Sequence, residues 1–171
     1  MTMREQAIAL IDEAVPDARQ GLPQDVFFLV SRLTPLVNVD LLIHDDNGRT
    51  LLSWRADQFY GPGWHVPGGI IRFKESWGDR ITAVARSELG AGVTFEPNPL
   101  LVRQPMTPSR ATRGHFISLL FACRLTSAPD PERQWRTGAP QNGQWAWHSD
   151  CPDDLIREHE MFRDSINGVL P

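Results

Sequence analysis

The chain has 171 residues, 41% of them hydrophobic and 22% charged, a balance typical of a globular domain with a core of its own. Its formal net charge of -4 argues against a protein that binds nucleic acid or an anionic membrane, and we expect neither partner. Two cysteines rule out a disulfide framework, and the lack of a long apolar run or a signal-peptide core predicts a cytoplasmic protein.

The first half of the chain begins with two predicted helices. Residues 4–15 place apolar side chains at helical spacing, and residues 23–33 do so after a break rich in glycine and proline. Apolar runs on both sides of residues 45–48 predict a β-hairpin. After a loop rich in glycine and proline, residues 70–73 are predicted as a strand and residues 76–89 as a third helix.

The second half contains mainly strands and loops. Apolar runs predict strands at residues 92–95, 100–106, 115–125 and 144–149. Residues 127–143 are predicted as a loop, and residues 153–167 as one helix or two. Strands separated by short turns outnumber strand–helix–strand crossovers, so the order of elements predicts an α+β fold with a mixed or antiparallel sheet.

The third predicted helix carries an unusual carboxylate in its last turn. Glu88 closes the apolar stripe at the negative end of the helix dipole, where an acid is disfavoured. Two explanations stay open: an ion pair with an arginine such as Arg55 or Arg72, or a ligand to a hard cation that offsets the dipole and the lost hydration. Gly68 and Gly69 lead into strand-like residues, which excludes a P-loop and a dinucleotide fingerprint.

The same stretch resembles the Nudix box. Gly69 and Glu75 are separated by five residues, and the sequence Glu88-Leu-Gly90 follows at the distance found in the box. The resemblance is to a degenerate box, because Val84 and Ser87 stand where further helix carboxylates are expected. A helix with fewer carboxylates suits one divalent ion, since a site for several ions needs several acids.

Within the Nudix superfamily, the chain is more similar to the GDP-mannose mannosyl hydrolases. The similarity is carried by TPLVNVD at residues 34–40, LLSWR at residues 51–55 and SELG at residues 87–90. It implies a Nudix fold, an α/β/α sandwich around a mixed β-sheet, over residues 23–171, with residues 1–22 as a helical extension. The family forms homodimers, so a homodimer is expected.

The resemblance also implies an enzyme and a substrate class. The expected reaction is Mg2+-dependent hydrolysis of a nucleoside diphosphate sugar such as GDP-mannose, with Mn2+ as a substitute ion. Water attacks the anomeric carbon, and free sugar and nucleoside diphosphate leave. Two other readings stay open: a Nudix hydrolase that cleaves a phosphoanhydride bond, and a Nudix-fold module that binds a nucleotide with little turnover.

Site residues follow from the family motif position by position. The metal ligands correspond to the backbone of Gly68, the carboxylate of Glu88 and the side chain of Gln141, while Glu75 braces the loop before the helix. A side-chain amide oxygen is a suitable ligand for Mg2+.

The substrate-binding residues carry positive charge or polar oxygen. Arg55 matches a family arginine on the diphosphate, and Asp40 matches a residue that touches the base or sugar. Ile70 replaces a second family arginine, and we expect Arg72 to take its place because side chains alternate along a strand.

The general base of the family has no counterpart in this chain. Its histidine aligns with Asn142 and a family tyrosine aligns with Phe116, and neither residue can take a proton in that role. His115, beside Phe116, and His65 are the nearest histidines that could replace the base. Two arginines of the loop that precedes this strand, Arg110 and Arg113, could close over the phosphates.

Overall fold

The computed structural model describes residues 1–169 and contains two β-sheets with helices packed around them. The helices are α1 Met3–Ala14, α2 Gln24–Leu33, α3 Trp77–Val84 and α4 Arg163–Ile166. The strands are β1 Leu36–Ile43, β2 Thr50–Arg55, β3 Gly63–His65, β4 Gly68–Ile70, β5 Val93–Phe95, β6 Leu101–Arg103, β7 Phe116–Leu125 and β8 Trp145–His148. Short 3-10 helices lie at Ala18–Gln20, Pro131–Arg133 and Arg157–Phe162.

The larger sheet is mixed, as the order of elements predicted. Its strands run in the order β4-β1-β7-β5, and β6 also pairs with β7. Strands β1 and β7 are parallel over their full contact, whereas the other pairs of this sheet are antiparallel. The smaller sheet has the order β3-β2-β8.

The predicted hairpin around residues 45–48 is wrong in its pairing. The turn is present, since the backbone N–H of Asp45 donates to the carbonyl of Arg49 at 2.9 Å. Beyond a single bridge between His44 and Thr50, however, β1 and β2 separate into different sheets. Both strands are buried along almost their whole length, so each faces packed layers on two sides and joins its own sheet.

Two apolar clusters hold the layers together. Helix α3 packs against the larger sheet through Ile81 and Val84, which belong to the same apolar cluster as Phe121 of β7. The carboxyl-terminal segment covers the smaller sheet through Phe162 and Ile166. Helices on both sides of paired sheets give the α/β/α arrangement that the sequence predicted.

The third predicted helix is two elements rather than one. After α3, residues Ala85–Leu89 form a π-helical turn, which ends at Gly90 with a φ of 64°. Only glycine adopts this left-handed conformation readily, which explains Gly90 at the helix end. Single π turns within helices are frequent at functional sites, and this one carries Glu88.

The extension at residues 1–22 begins with α1, which buries none of its residues. Its apolar side chains Ile8 and Leu10 are 53% and 67% exposed. Within residues 1–169, the structure contains no helix that is long and apolar enough to cross a membrane.

Candidate active site

A cavity of about 430 Å³ opens between the two sheets, and we call it the central cavity. Its walls come from β1, β2, β4 and β7, from the π turn and from the carboxyl-terminal 3-10 helix. The volume lies in the range of about 300–1,000 Å³ that is usual for ligand sites.

Glu88 and Gly68 lie together in this cavity. The backbone N–H of Gly68 donates to Oε1 of Glu88 at 3.3 Å. Among residues 1–169, no cationic side chain forms an ion pair with this carboxylate. Burial raises the pKa of Glu88 to about 8. The hydrogen bond from Gly68 and the charge of Arg55 oppose this rise, and the nearby Asp40 adds to it. The structure therefore does not provide the ion pair with Arg55 or Arg72 that was one explanation for this acid.

Asp40 is a fully buried carboxyl beside Gly68. Its Oδ1 accepts a hydrogen bond from Nδ2 of Asn38 at 2.8 Å, and its Oδ2 accepts one from the hydroxyl of Ser118. Burial raises the pKa of Asp40 to about 7, although both hydrogen bonds oppose the rise. A Cβ at position 68 would overlap Oδ1 of Asp40, so glycine is required where strand β4 passes this carboxyl.

Two histidines, His65 buried and His159 half-buried, also line the cavity. His65 lies at the end of β3, and His159 comes from the carboxyl-terminal 3-10 helix, with the ring centroids 5.9 Å apart. Burial lowers the pKa of His65 to about 4 and lowers that of His159 well below its usual range. Nε2 of His159 lies 3.9 Å from Oδ1 of Asp40.

Two arginines, Arg55 and Arg113, and the ring of Tyr60 lie on one wall of the cavity, and Arg110, which is not part of that wall, stacks on the same ring. Arg55, Arg110 and Arg113 place their guanidinium groups 4.7, 4.4 and 5.1 Å from the ring centroid of Tyr60. Arg55 forms an ion pair with Asp57 at 2.5 Å, and Arg110 forms one with Glu158 at 3.2 Å. Arg113 pairs with no carboxylate in the part of the chain that the structure describes, and its buried Nε has no hydrogen-bond partner. Stacking on Tyr60 thus presents Arg113 to the cavity as an unpaired cation.

The loop before β8 brings Asn142, but not Gln141, to the cavity. Asn142 lines the wall, and its Oδ1 accepts a hydrogen bond from the backbone N–H of Ala56 at 3.0 Å. Gln141 is exposed and lies outside the lining of the cavity, with its backbone N–H bonded to the side chain of Gln144 at 2.8 Å.

Two predicted site residues lie elsewhere. Arg72 is exposed and approaches Gly21, because β4 ends at Ile70 and the alternation of strand side chains stops there. His115 lies outside the cavity with its Nε2 2.9 Å from Gln104, because Phe116 and Ser118 occupy the cavity face of β7. Because side chains alternate along a strand, a residue next to Phe116, such as His115, points to the opposite face.

The remaining box residues have local roles. Both carboxylate oxygens of Glu75 accept hydrogen bonds at 2.8 Å from the guanidinium of Arg80, which braces the loop ahead of α3. Ser87, where a further box acid is expected, bonds to the carbonyl of Val84 at 3.2 Å within its own helix.

The acidic groups suit one hard cation rather than several. No set of three histidine, cysteine or acidic side chains with metal-site geometry occurs within residues 1–169. Glu88 offers a carboxylate without a cationic partner beside the glycine backbone, and an ion there would offset the cost of its burial. Such a donor set fits Mg2+, which keeps several waters and is commonly held by one or two carboxylates with substrate phosphates.

Sequence comparison finds a partial relative. No family model matches the chain. Over 75 residues, the chain is 37% identical to the low-salt glycan biosynthesis protein Agl8 of Haloferax volcanii, a stretch covering 44% of this chain and 47% of that protein. The chain therefore matches about half the length of this curated relative.

Comparison with solved structures identifies the fold. A Nudix hydrolase from Nitrosomonas europaea is 22% identical, with a TM-score of 0.52 and coverage of 67% of this chain and 72% of that chain. A possible asymmetric diadenosine tetraphosphate hydrolase from Jonesia denitrificans is 21% identical, with a TM-score of 0.60 and coverage of 81% and 98%. A UDP-X diphosphatase is 15% identical, with a TM-score of 0.57 and coverage of 96% and 89%. The chain has the Nudix fold.

Proposed function

We propose that the protein is a Mg2+-dependent hydrolase of a nucleoside diphosphate sugar, similar to the GDP-mannose mannosyl hydrolases. Water attacks the anomeric carbon, and free sugar and nucleoside diphosphate are released. The observation that carries the proposal is Glu88, a half-buried carboxylate without an ion-pair partner among the described residues, set on a π turn in the central cavity. The relative named for glycan biosynthesis supports a nucleotide sugar as the substrate class.

The metal would be held by Glu88 and the backbone of Gly68, with Gln141 remaining a predicted third ligand. When bound, Mg2+ would neutralise the charge that develops on the diphosphate leaving group. A single helix carboxylate at this place supports a one-ion site, because Ser87 and Val84 contribute no acid. Mn2+ is expected to substitute, since it shares the preference for oxygen ligands.

The arginines of the cavity would bind the diphosphate. Arg55 is the residue predicted from the family motif, and Arg113 is added by the structure, where it has no acidic partner within residues 1–169. Both guanidinium groups lie over the ring of Tyr60, which limits their motion before a substrate arrives. Asp40 remains a candidate for contact with the base or sugar.

Arg55→Ala is expected to weaken binding of a nucleoside diphosphate by roughly 10- to 100-fold, because a charge-assisted hydrogen bond contributes about 1.5–3 kcal/mol. Isothermal titration calorimetry with GDP measures the change. Arg49→Ala is the matched control, since Arg49 also pairs with an aspartate, at 2.7 Å, and lies 5.8 Å from an aromatic ring centroid, but outside the cavity. Equal affinity in both variants would remove Arg55 from the phosphate site.

A second candidate reaction is cleavage of a phosphoanhydride bond. The structural neighbours named as a diadenosine tetraphosphate hydrolase and a UDP-X diphosphatase favour it. Both reactions place a diphosphate near the arginines and differ in the atom that water attacks. A nucleotide-binding module with little turnover is the third reading, since Asn142 replaces the family base.

Analysis of the products formed from GDP- and UDP-sugars with Mg2+ distinguishes the three candidate functions. Free sugar plus nucleoside diphosphate supports the proposed reaction. Sugar phosphate plus nucleoside monophosphate supports phosphoanhydride cleavage, and binding without product supports the binding module. The expected homodimer, to which the exposed helix α1 would contribute, and the cytoplasmic location remain predictions.

A further inference from the structure

One residue, Val66, fixes the hydrogen-bonding state of both cavity histidines. Nδ1 of His65 lies 2.8 Å from the carbonyl oxygen of Val66, and Nδ1 of His159 lies 3.0 Å from its backbone nitrogen. A carbonyl oxygen can only accept a hydrogen bond, and a backbone N–H can only donate one. Nδ1 of His65 therefore carries a hydrogen, whereas Nδ1 of His159 carries none.

The two neutral rings are consequently opposite tautomers. In His65 the lone pair is on Nε2, and in His159 the hydrogen is on Nε2. Nε2 of His159 faces Oδ1 of Asp40 at 3.9 Å, so this ring can act as a donor on that side. The backbone of Val66 thus sets one ring as an acceptor and the other as a donor within the same cavity.

The lone pair of His65 is accessible from the cavity. Nε2 of His65 has no hydrogen-bond partner in the described part of the chain. Nε2 of His44 and Nε2 of His148 also have no partner, but they are enclosed by protein atoms, whereas Nε2 of His65 is not. His65 itself lines the cavity with Glu88 and Gly68. An unpartnered acceptor atom that faces a ligand cavity is available to bind a water molecule.

We propose that His65 is the general base of the hydrolysis, with Nε2 taking a proton from the attacking water, and that His159 is a positioning residue that keeps the peptide of Val66 in place. The assignment rests on the proposed function. The water oxygen bonds to the anomeric carbon as its proton moves to Nε2 of His65. The bond from that carbon to the diphosphate oxygen breaks, its electron pair stays on the nucleoside diphosphate, and the imidazolium later releases the proton to solvent.

The surroundings of His65 favour this role once a substrate is present. Burial holds its pKa at about 4 in the free protein, with Arg55 contributing to the fall, so the ring is neutral at pH 7 and its lone pair is free. A bound diphosphate would place negative charge nearby and pair with Arg55, and both changes favour the protonated ring. Asn142 cannot serve instead, because its amide oxygen accepts from the backbone of Ala56 and is not basic near pH 7.

The test measures steady-state hydrolysis of the nucleotide sugar that the wild-type protein turns over. His65→Gln is expected to lower kcat by about 100- to 10,000-fold, as is typical of a lost general base. KM and the affinity for GDP are expected to stay near wild-type values. His65→Ala is expected to regain activity in proportion to added imidazole, which a merely structural role would not produce. His44→Gln is the matched control, because His44 is half-buried and lies outside the central cavity.

Long-range proton–nitrogen NMR spectra of the wild-type protein test the assignment without a variant. We expect His65 with its hydrogen on Nδ1 and His159 with its hydrogen on Nε2, and the same tautomer for both rings would overturn the proposal. Wild-type turnover that persists in His65→Gln would overturn the role of His65 alone. Absence of wild-type turnover would overturn the proposed function, and the role of His65 with it.

Discussion

Glu88→Gln is expected to abolish metal-dependent turnover while the metal-free protein stays folded. The amide retains an oxygen that can accept the hydrogen bond from the backbone N–H of Gly68, so the local contact is kept. The variant loses the negative charge that would attract a divalent cation, and no cationic side chain in residues 1–169 pairs with that charge. Calorimetric titration with Mg2+ and Mn2+, together with the hydrolysis rate, measures both effects.

Glu96→Gln is the control for Glu88→Gln, because Glu96 is exposed and lies outside the central cavity. It should retain the Mg2+ affinity and the rate of the wild-type protein. Wild-type metal affinity in Glu88→Gln would instead show that the ion, if one binds, is held elsewhere.

The stability of the metal-free protein should depend on the ionisation of the same carboxylate, Glu88. Burial raises the pKa of Glu88 from 4.5 to about 8, so the folded chain holds a proton that the unfolded chain has lost between these pH values. Its contribution to the free energy of unfolding therefore falls as pH rises through this range. Thermal unfolding in the presence of a chelator should show Glu88→Gln gaining stability relative to the wild-type protein from pH 5 to pH 9. A constant difference across this range would contradict the burial of the charge.

Gly68→Ala is expected to destabilise the fold and weaken metal binding together. A Cβ at this position would lie 2.8 Å from the carbonyl oxygen of Val39 and overlap Oδ1 of Asp40. Both atoms belong to β1, which pairs with β4 at this register, so the strands would have to separate. Overpacking of this kind costs about 1–3 kcal/mol, which corresponds to a fall in Tm of roughly 2–12 °C for a domain of this size.

Gly69→Ala provides the matched comparison for Gly68→Ala. A Cβ at Gly69 would meet only side chains, with Cγ2 of Val84 at 2.8 Å and Cδ of Arg80 at 3.4 Å. These side chains can adjust more readily than a paired backbone carbonyl, so we expect a smaller fall in Tm and an unchanged Mg2+ affinity. Equal falls in Tm and in Mg2+ affinity in the two variants would show that the contacts of Gly68 with β1 have no specific effect on the metal site.

The sequence predicted the parts of the site that local spacing controls. Gly68, Glu88 and Arg55 lie on short segments whose positions follow from the motif, and all three line the same cavity. The π turn that carries Glu88 was not predicted, because helical spacing over fewer than two turns does not distinguish it from a regular α-helix.

The parts that depend on distant packing were not predictable in this way. His159 approaches Val66 across 93 residues of sequence, and no spacing rule connects the two. Arg72 was predicted to lie in the site from alternation along a strand, but β4 ends before it. His115 was a candidate because it stands beside Phe116, but it lies outside the cavity. The hairpin failed for a related reason, since pairing of β1 and β2 with other strands outweighs the local turn signal.

Hydrolysis in water enriched in heavy oxygen tests the central claim most directly. The full chain is incubated with Mg2+ and the nucleotide sugar that it turns over, and the products are separated and analysed by mass spectrometry. If water attacks the anomeric carbon, the heavy oxygen appears in the free sugar and the nucleoside diphosphate contains none. Heavy oxygen on a phosphate of either product would contradict the account, because it would place the attack on phosphorus.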